Sequence, residues 1–344
     1  MSPSVMGATG SGKTTFINLA SGSNLRIGRG LKSCTSVVQI AQAFELDGRS
    51  VTLIDTPGFD DTTKSDSDIL RMIAAFLATA YQSGKKLAGV IYIHRISDFR
   101  MGGISTRNFK MFRQLCGESS LRNVVIVTNM WGEVSKEIGE AREQELITQD
   151  MFFKPVLDKG ALLERHENTA GSAHRILRSI IDNQPLSLQI QRELVDQKMD
   201  ISQTAAGEEL NKELKAQMEK HRKEMRMVQE EMREAIRTKD EETRRELEIE
   251  TTKLQSEMAR IQQDAQKLAS RYSEEKEGLE KRMQELSQSA REDAERAGAE
   301  YRRQMSALQA QLDMTASTSA AERAELIRRI DELQNRRAHG GGVH

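Results

Sequence analysis

Residues 7–14 read Gly-Ala-Thr-Gly-Ser-Gly-Lys-Thr and fit the spacing G-x-x-x-x-G-K-[ST]. Each residue type suits a polyphosphate at its place. Glycines let the backbone turn tightly and aim its N–H groups at an anion. Lys13 brings a point charge to the β- and γ-phosphates, Thr14 offers a hydroxyl to Mg²⁺, and a helix starting here turns its positive end toward the charge. A match of this kind arises by chance in about one per cent of chains this long. A second pattern follows about 40 residues later: Val51-Thr-Leu-Ile-Asp55-Thr-Pro-Gly58, an apolar run ending in D-T-P-G. In a phosphate-loop fold a carboxylate at such a strand end holds Mg²⁺, usually through water, and the Gly58 N–H senses the γ-phosphate. Alone, D-T-P-G is an ordinary turn. At this spacing after the first motif it is specific.

The elements that must position these residues alternate between strand and helix patterns over the first ~180 residues, the mark of an α/β sheet. Val5-Met6 leads into the glycine loop, and a helix is predicted from Lys13 to Ala20. Thr35–Leu46 and Val51–Ile54 read as strands, with Asp47-Gly48-Arg49 as a hairpin turn. Ser67–Tyr81 reads as a helix, Leu87–Ile93 as a buried parallel strand, Thr106–Cys116 as a helix and Val124–Val127 as a further strand. Glu133–Asp150 is a polar helix, Ala161–Glu164 a short strand and Gly171–Asp182 a last helix, closed by Pro185. Val5-Met6 is short for a central strand, and Pro3 lacks a ladder donor. Either the natural chain begins further upstream, which is the expectation, or the sheet is weakened at its centre.

From about Thr204 to Arg337 the pattern is one of long helix. Leu254, Met258, Ile261, Ala265, Leu268, Tyr272, Glu275 and Leu279 step by four and three, a heptad seam. Successive fours at Leu279–Met283 and at Ala297, Tyr301 and Met305 loosen the supercoil. The seam uses Met, Ala, Tyr and Glu as often as Leu, so it reads as a weak coiled coil or as one that pairs with something else. Thr315–Ser319 interrupts it, and Ser319-Ala-Ala-Glu322 reads as a capping box for a new helix.

The 344 residues carry 51 Lys plus Arg against 52 Asp plus Glu, a net charge of −1. Neither that balance nor any basic, aromatic-studded face suggests nucleic-acid binding. Charged residues reach 30% while aromatics are 4%, because a packed front half is followed by a solvated helical half. Cys34 and Cys116 have no metal-ligand spacing, and the start, MSPSVMGATG, has no signal-peptide character. The apolar stretch Ile69–Tyr81, broken by Arg71, suits a core helix and not a membrane span. A cytoplasmic location is the expectation.

The segments MGATGSGKTTFINL, LIDTPGFDD, VIYIHRISDFRMGG and LQIQRELVDQKMDISQTAAG resemble the translation-factor-related class of GTPases. Within it they resemble the septin-like branch with the AIG1/GIMAP and Toc proteins, and most of all fungal AIG1-like G-domain proteins with a coiled-coil tail. The resemblance covers about residues 5 to 210. It implies a P-loop NTPase fold with a mostly parallel sheet and helices on both faces, followed by a long coiled coil. The expected division is a G domain over 1–184, a linker or helical extension over 185–207, a coiled coil over 208–338 and a disordered tail over 339–344.

The resemblance also implies GTP or GDP with Mg²⁺ as ligands. The phosphate set would be Gly7, Ala8, Thr9, Gly10, Ser11, Gly12, Lys13, Thr14 and Thr15. Thr14, Asp55 and Thr35 would serve the metal, and Lys13, Thr35 and Gly58 would act in catalysis. Thr35, in Ser33-Cys34-Thr35-Ser36, is as readily an ordinary strand-start residue. Switch II is Gly58-Phe59-Asp60-Asp61, with Phe59 where Ras-like enzymes carry a water-orienting Gln, so hydrolysis should be slow. Relatives bind face to face across their nucleotides. Arg95 or Arg100 would then reach a neighbour's phosphates, or simply make surface ion pairs. A homodimer through the G domain or the coiled coil, and a further protein partner, are expected.

One motif departs from the family. Guanine is read by N-K-x-D, whose carboxylate accepts from N1 and N2. Here the chain reads Thr128-Asn129-Met130-Trp131-Gly132. Asn129 keeps the Asn, Met130 replaces Lys, and Gly132 stands at the Asp position with Glu133 one residue late. Strong guanine discrimination is then lost unless Glu133 or the loop His166-Glu167-Asn168 compensates, with His166 either stacking on the base or lying at the surface. Three readings remain: a slow GTPase or switch, a nucleotide-binding scaffold without turnover, and a triphosphatase of relaxed base specificity.

Overall fold

A computed structural model describes residues 2–25, 37–59, 64–99, 103–238, 241–314, 325 and 327–329. Ser33–Ser36 with Thr35, Asp60, Asp61, Arg100 and the Ser319–Glu322 capping box lie outside the described residues. The chain divides into two compact units, residues 1–277 and 278–344.

The first unit is built on a six-stranded sheet of order β2-β5-β1-β6-β7-β8. The strands are β1 (Ser4–Gly7), β2 (Gln39–Ile40), β5 (Ile54–Asp55), β6 (Val90–Arg95), β7 (Val124–Asn129) and β8 (Leu162–Arg165). Every pairing is parallel except that of the edge strand β2 with β5. The period of two assigns the side chains to two cores. Val90, Tyr92, Val124 and Ile126 face one core, while Val5, Ile91, Ile93, Val125 and Val127 face the other. Short as it is, β1 is fully buried and paired on both sides. Pro3 needs no donor there, because its carbonyl accepts from the Ile54 N–H at 3.1 Å.

Helices cover both faces. On one face α1 (Lys13–Ser21) and α6 (Ala170–Ile181) bury Phe16, Ile17, Ile176, Leu177 and Ile180. On the other, α2 (Asp66–Gln82) and α3 (Gly103–Cys116) bury Ile69, Ile73, Leu77, Phe109 and Phe112 around Tyr92. The α2 start is fixed by Ser65, whose side chain accepts from the Asp68 N–H, with Asp66 and Asp68 set favourably in the first turn. Thr169 and Ser172 form a reciprocal cap on α6. The polar helix α4 (Lys136–Thr148) and the short α5 (Lys154–Leu157) lie between β7 and β8.

The run predicted as one strand over Thr35–Leu46 is divided among its described residues. Gln39–Ile40 joins the large sheet as β2, and β3 (Phe44–Leu46) pairs with β4 (Arg49–Val51) as a separate hairpin. Asp47 and Gly48 both have positive φ, 52° and 75°, the mirror-image turn that an Asp-Gly pair favours. Two exposed ion pairs tie this hairpin to α6 and its end: Arg178 to Asp47 and Arg49 to Asp182, each 2.7 Å.

Residues 185–207 pack onto the sheet domain. The short α7 (Gln189–Gln191) passes into a π-turn ending at Asp196. Ile190 and Gln191 are fully buried, and the Gln191 amide donates to the Leu77 carbonyl at 3.0 Å. Two long helices follow, α8 (Ala205–Thr238) and α9 (Glu241–Met314). Within the first unit α9 runs back along α8, with His221 Nε2 3.7 Å from Glu257 Oε2. Arg107 of α3 reaches both Asp66 of α2 and Glu213 of α8, at 3.0 and 3.8 Å. Leu254 and Leu268 of the heptad seam are buried, and Leu268 joins the same core as Leu210 and Phe109. That part of the seam is therefore used inside the chain. In the second unit α9 continues to Met314. Among the described residues no helix is long and apolar enough to cross a membrane.

Because Leu268 is fully buried, Leu268→Ala should destabilise the folded domain by about 2–5 kcal/mol. Urea unfolding of the full chain reads this directly. An unchanged midpoint would mean that α9 does not lie on the domain in solution.

Candidate nucleotide site

The carboxyl ends of β1, β5, β6 and β7 converge on the glycine loop. Gly7 ends β1 with φ 143°, and a Cβ there would lie 2.3 Å from the Ile93 carbonyl oxygen. Only glycine permits that approach. Gly12 takes the left-handed conformation just before α1, and a Cβ on it would sit 2.4 Å from Asn129 Nδ2. Asn129 holds the loop from β7, its amide donating to the Ser11 carbonyl at 2.9 Å. Lys13 is nearly buried, and its ammonium donates to the Ala8 carbonyl at 2.9 Å, across the loop. Gly10 is exposed, whereas Ala8, Thr9, Thr14 and Thr15 are half-buried.

The Thr14 hydroxyl donates to Asp55 Oδ2 at 2.7 Å, and Asp55 is fully buried. This joins the two sequence motifs. Next to Asp55, the Thr56 hydroxyl donates to the Val5 carbonyl at 2.8 Å and locks the strand end to β1. A hydroxyl beside a carboxylate is a hard-oxygen donor set. It fits Mg²⁺, which takes few protein ligands and completes its shell with phosphate and water. No cluster of three or more His, Cys, Asp or Glu suited to a metal occurs among the described residues.

Gly58 packs against the loop. The Thr9 N–H donates to the Phe59 carbonyl at 2.9 Å, and the Thr9 hydroxyl donates to the Gly58 carbonyl at 3.2 Å. Phe59 itself is fully buried.

On the base side, Met130 has φ 63° and a one-turn helix spans Trp131–Glu133. Gly132 and Glu133 are exposed, and the Glu133 N–H bonds the Met130 carbonyl. The Trp131 ring lies over α4 at Gly139, where a Cβ would meet it at 2.6 Å. Arg165 stacks on the ring at 4.2 Å while its guanidinium grips Glu143. The His166 ring is buried edge-on to Phe16 at 5.1 Å, and its Nδ1 pairs with the Ser172 hydroxyl at 2.9 Å. It does not lie open at the surface. Arg95 pairs with Asp98 at 2.9 Å, and its guanidinium also flanks Gly10 of its own chain, 3.3 Å from where a Cβ would stand. The bonds from Thr9, the Asn129 tie to the loop and the Trp131–Gly139 packing were not read from the sequence. A glycine inside the polar α4 helix was the one available signal for the last of these.

Residues 3–130 match the family model described as 50S ribosome-binding GTPase. No curated protein matches the sequence. Among solved structures, a dimerization-deficient mutant of Toc33 from Arabidopsis thaliana aligns at 16% identity. The alignment covers 53% of this chain and 83% of that one with a TM-score of 0.43. Toc33 in complex with GDP and Mg²⁺ gives the same identity and coverage and a TM-score of 0.42. Era in complex with MgGDPNP and a 16S ribosomal RNA segment aligns at 17% over 54% of this chain and 58% of that one, with a TM-score of 0.39. Strand order and phosphate loop define the front of the chain as a P-loop nucleotide-binding fold of the G-domain type, with helices on both faces of a mostly parallel sheet, followed by long helices.

Burial holds His94 and His166 neutral, with both imidazoles lowered to about 4. The unfolded chain binds these protons from about 6.5 downward. Stability should therefore be full near neutrality and fall as pH drops from about 6.5 to about 4, by on the order of 3 kcal/mol at the acid end for His94 and by less for the more solvent-screened His166. Urea midpoints at a series of pH values check this, and the double variant His94→Gln with His166→Gln should flatten the slope. The same slope in that variant would refute the assignment.

Proposed function

We propose that the chain is a GTP-binding switch with slow intrinsic hydrolysis. The Thr14–Asp55 hydrogen bond carries this reading, since it places a hydroxyl and a carboxylate together beside Lys13 at the mouth of a left-handed glycine loop. The loop amides, Lys13 and the start of α1 hold the phosphates of GTP or GDP, with Gly7, Ala8, Thr9, Gly10, Ser11, Gly12 and Thr15 shaping the cradle. Thr14 and Asp55, with Thr35, are the metal residues. Mg²⁺, when bound, offsets phosphate charge there. Lys13 and the Gly58 N–H neutralise charge that develops on the γ-phosphate, and Thr35 closes on it. Phe59 supplies no group to orient water, so turnover is slow unless a second copy completes the site.

Assembly as a homodimer, through the P-loop domain or through the α9 seam beyond residue 277, fits this reading. The residues matching the AIG1-like and Toc pattern support it, and the family match over residues 3–130 supports the nucleotide-binding part of the reading. A cytoplasmic location and a further protein partner belong to the same reading. A second reading, a scaffold that binds nucleotide without turnover, is favoured by the buried Phe59 after Gly58. Base selectivity is the weak part of the site, because Gly132 has no carboxylate to accept from the guanine amino group.

Competition of GTP, ATP and inosine triphosphate against a fluorescent GTP analogue with Mg²⁺ tests these statements. Inosine triphosphate, which lacks the 2-amino group, should bind within a few-fold of GTP, and Lys13→Ala should abolish binding of all three. Tight Mg²⁺-dependent binding by Lys13→Ala would overturn the site. A tenfold or larger preference for GTP over the inosine form would assign the missing acceptor to Glu133, and Glu133→Ala should then erase it. Turnover in the range of about 10⁻⁴ to 10⁻² s⁻¹, rising with protein concentration, separates the switch from the scaffold.

A further inference from the structure

The contacts between Thr9 and the start of switch II carry an inference about how the site tells a triphosphate from a diphosphate, and it rests on the nucleotide reading above. Three observations meet at one residue. The Thr9 N–H donates to the Phe59 carbonyl at 2.9 Å, and the Thr9 hydroxyl donates to the Gly58 carbonyl at 3.2 Å. Ala8 and Phe59 form an isolated parallel bridge beside them. A Cβ on Gly58 would lie 2.5 Å from the Thr9 nitrogen and 2.6 Å from its hydroxyl oxygen, so the two backbones are in closest approach. Phe59 anchors the arrangement from below, fully buried.

The consequence is electrostatic. In this arrangement the segment after Asp55 turns two carbonyl oxygens, those of Gly58 and Phe59, toward the phosphate loop, and Thr9 holds both. Carbonyl oxygens facing an anion are unfavourable, whereas an N–H is favourable. A diphosphate seated on the loop amides and Lys13 leaves the arrangement undisturbed. Recruiting the Gly58 N–H to a γ-phosphate re-aims the Pro57–Gly58 peptide, and the two peptides that follow it, whose carbonyls Thr9 holds, oppose that movement. We propose that Thr9 is a positioning residue that latches Gly58 and Phe59, the start of switch II, onto the phosphate loop, so that triphosphate binding competes with the latch and diphosphate binding does not. The Thr9 side chain thereby lowers the preference of the site for triphosphate over diphosphate.

The test uses the full chain, fluorescent GDP and a fluorescent non-hydrolysable GTP analogue, both with Mg²⁺. Thr9→Val keeps the shape and removes the hydroxyl, and Thr9→Ser keeps the hydroxyl. Loss of one hydrogen bond from the latched state should raise the ratio of analogue affinity to GDP affinity by about five-fold in Thr9→Val, with Thr9→Ser close to the natural chain. Hydrogen exchange in the nucleotide-free protein should rise in the peptide covering residues 53–59 of Thr9→Val, and not in Thr9→Ser. An unchanged affinity ratio, or an equal change in both variants, would overturn the latch while leaving the nucleotide site intact. A natural chain that binds neither nucleotide would overturn the site reading itself.

Discussion

The rest of this structure depends on how closely four strand ends approach one loop. Gly7 meets the Ile93 carbonyl, Gly12 meets Asn129 and Gly58 meets Thr9, each at a distance that a single added carbon would violate. These contacts come from β1, the loop and the segment after β5, pressed against β6, β7 and one another. Close packing of this kind resists small displacements, because there is no free volume into which a neighbour can retreat. The buried strands β6 and β7, apolar on both faces, supply the stiffness that keeps the approach. Thr14 and Asp55 reach hydrogen-bond distance because the loop is held from both sides.

The helices after residue 188 extend that frame. Gln191 is fully buried and hydrogen-bonded at both ends of its amide, to the Leu77 carbonyl and the Leu188 N–H, so the chain leaving the sheet domain is fixed before α8 begins. Arg107 then links α2, α3 and α8 through Asp66 and Glu213. Lys64, Ser65, Asp66, His221, Glu257 and Asp264 line one cavity of about 290 Å³ at the start of α2. Burial holds the Asp264 carboxyl above its usual range there. Helices that read as a solvated arm thus share a wall with the segment that follows switch II.

Much of this was legible because the signals were local. The phosphate loop, the D-T-P-G strand end and the alternating strands each follow from residue types at short spacing, and the observed β1, β6, β7 and α6 lie close to their predicted positions. The strand predicted over Thr35–Leu46 was divided because a hairpin and a sheet edge share the same β-rich composition, and only tertiary pairing distinguishes them. The heptad seam was visible at Leu254 and Leu268, but periodicity alone does not say whether a seam faces a second chain or its own domain. His166 was open to either a base-stacking role or a surface position because a lone histidine carries no period. Its burial against Phe16 and Ser172 depends on α1 and α6 meeting across more than a hundred residues. The bonds from Thr9 were invisible for the same reason, since they join two motifs that each make sense alone.

The β3–β4 hairpin is fastened to α6 and its end by Arg178–Asp47 and Arg49–Asp182, pairs in which every side chain is about half exposed or more. Such tethers lie within reach of dissolved ions, unlike the packed strand ends. Raising the ionic strength therefore acts unevenly on this protein. It weakens these two pairs, while Leu46 and Val51 keep the hairpin seated in the apolar core beside α6. Ionic strength thus reaches the outer rim of the hairpin and leaves its buried side and the main fold as they are.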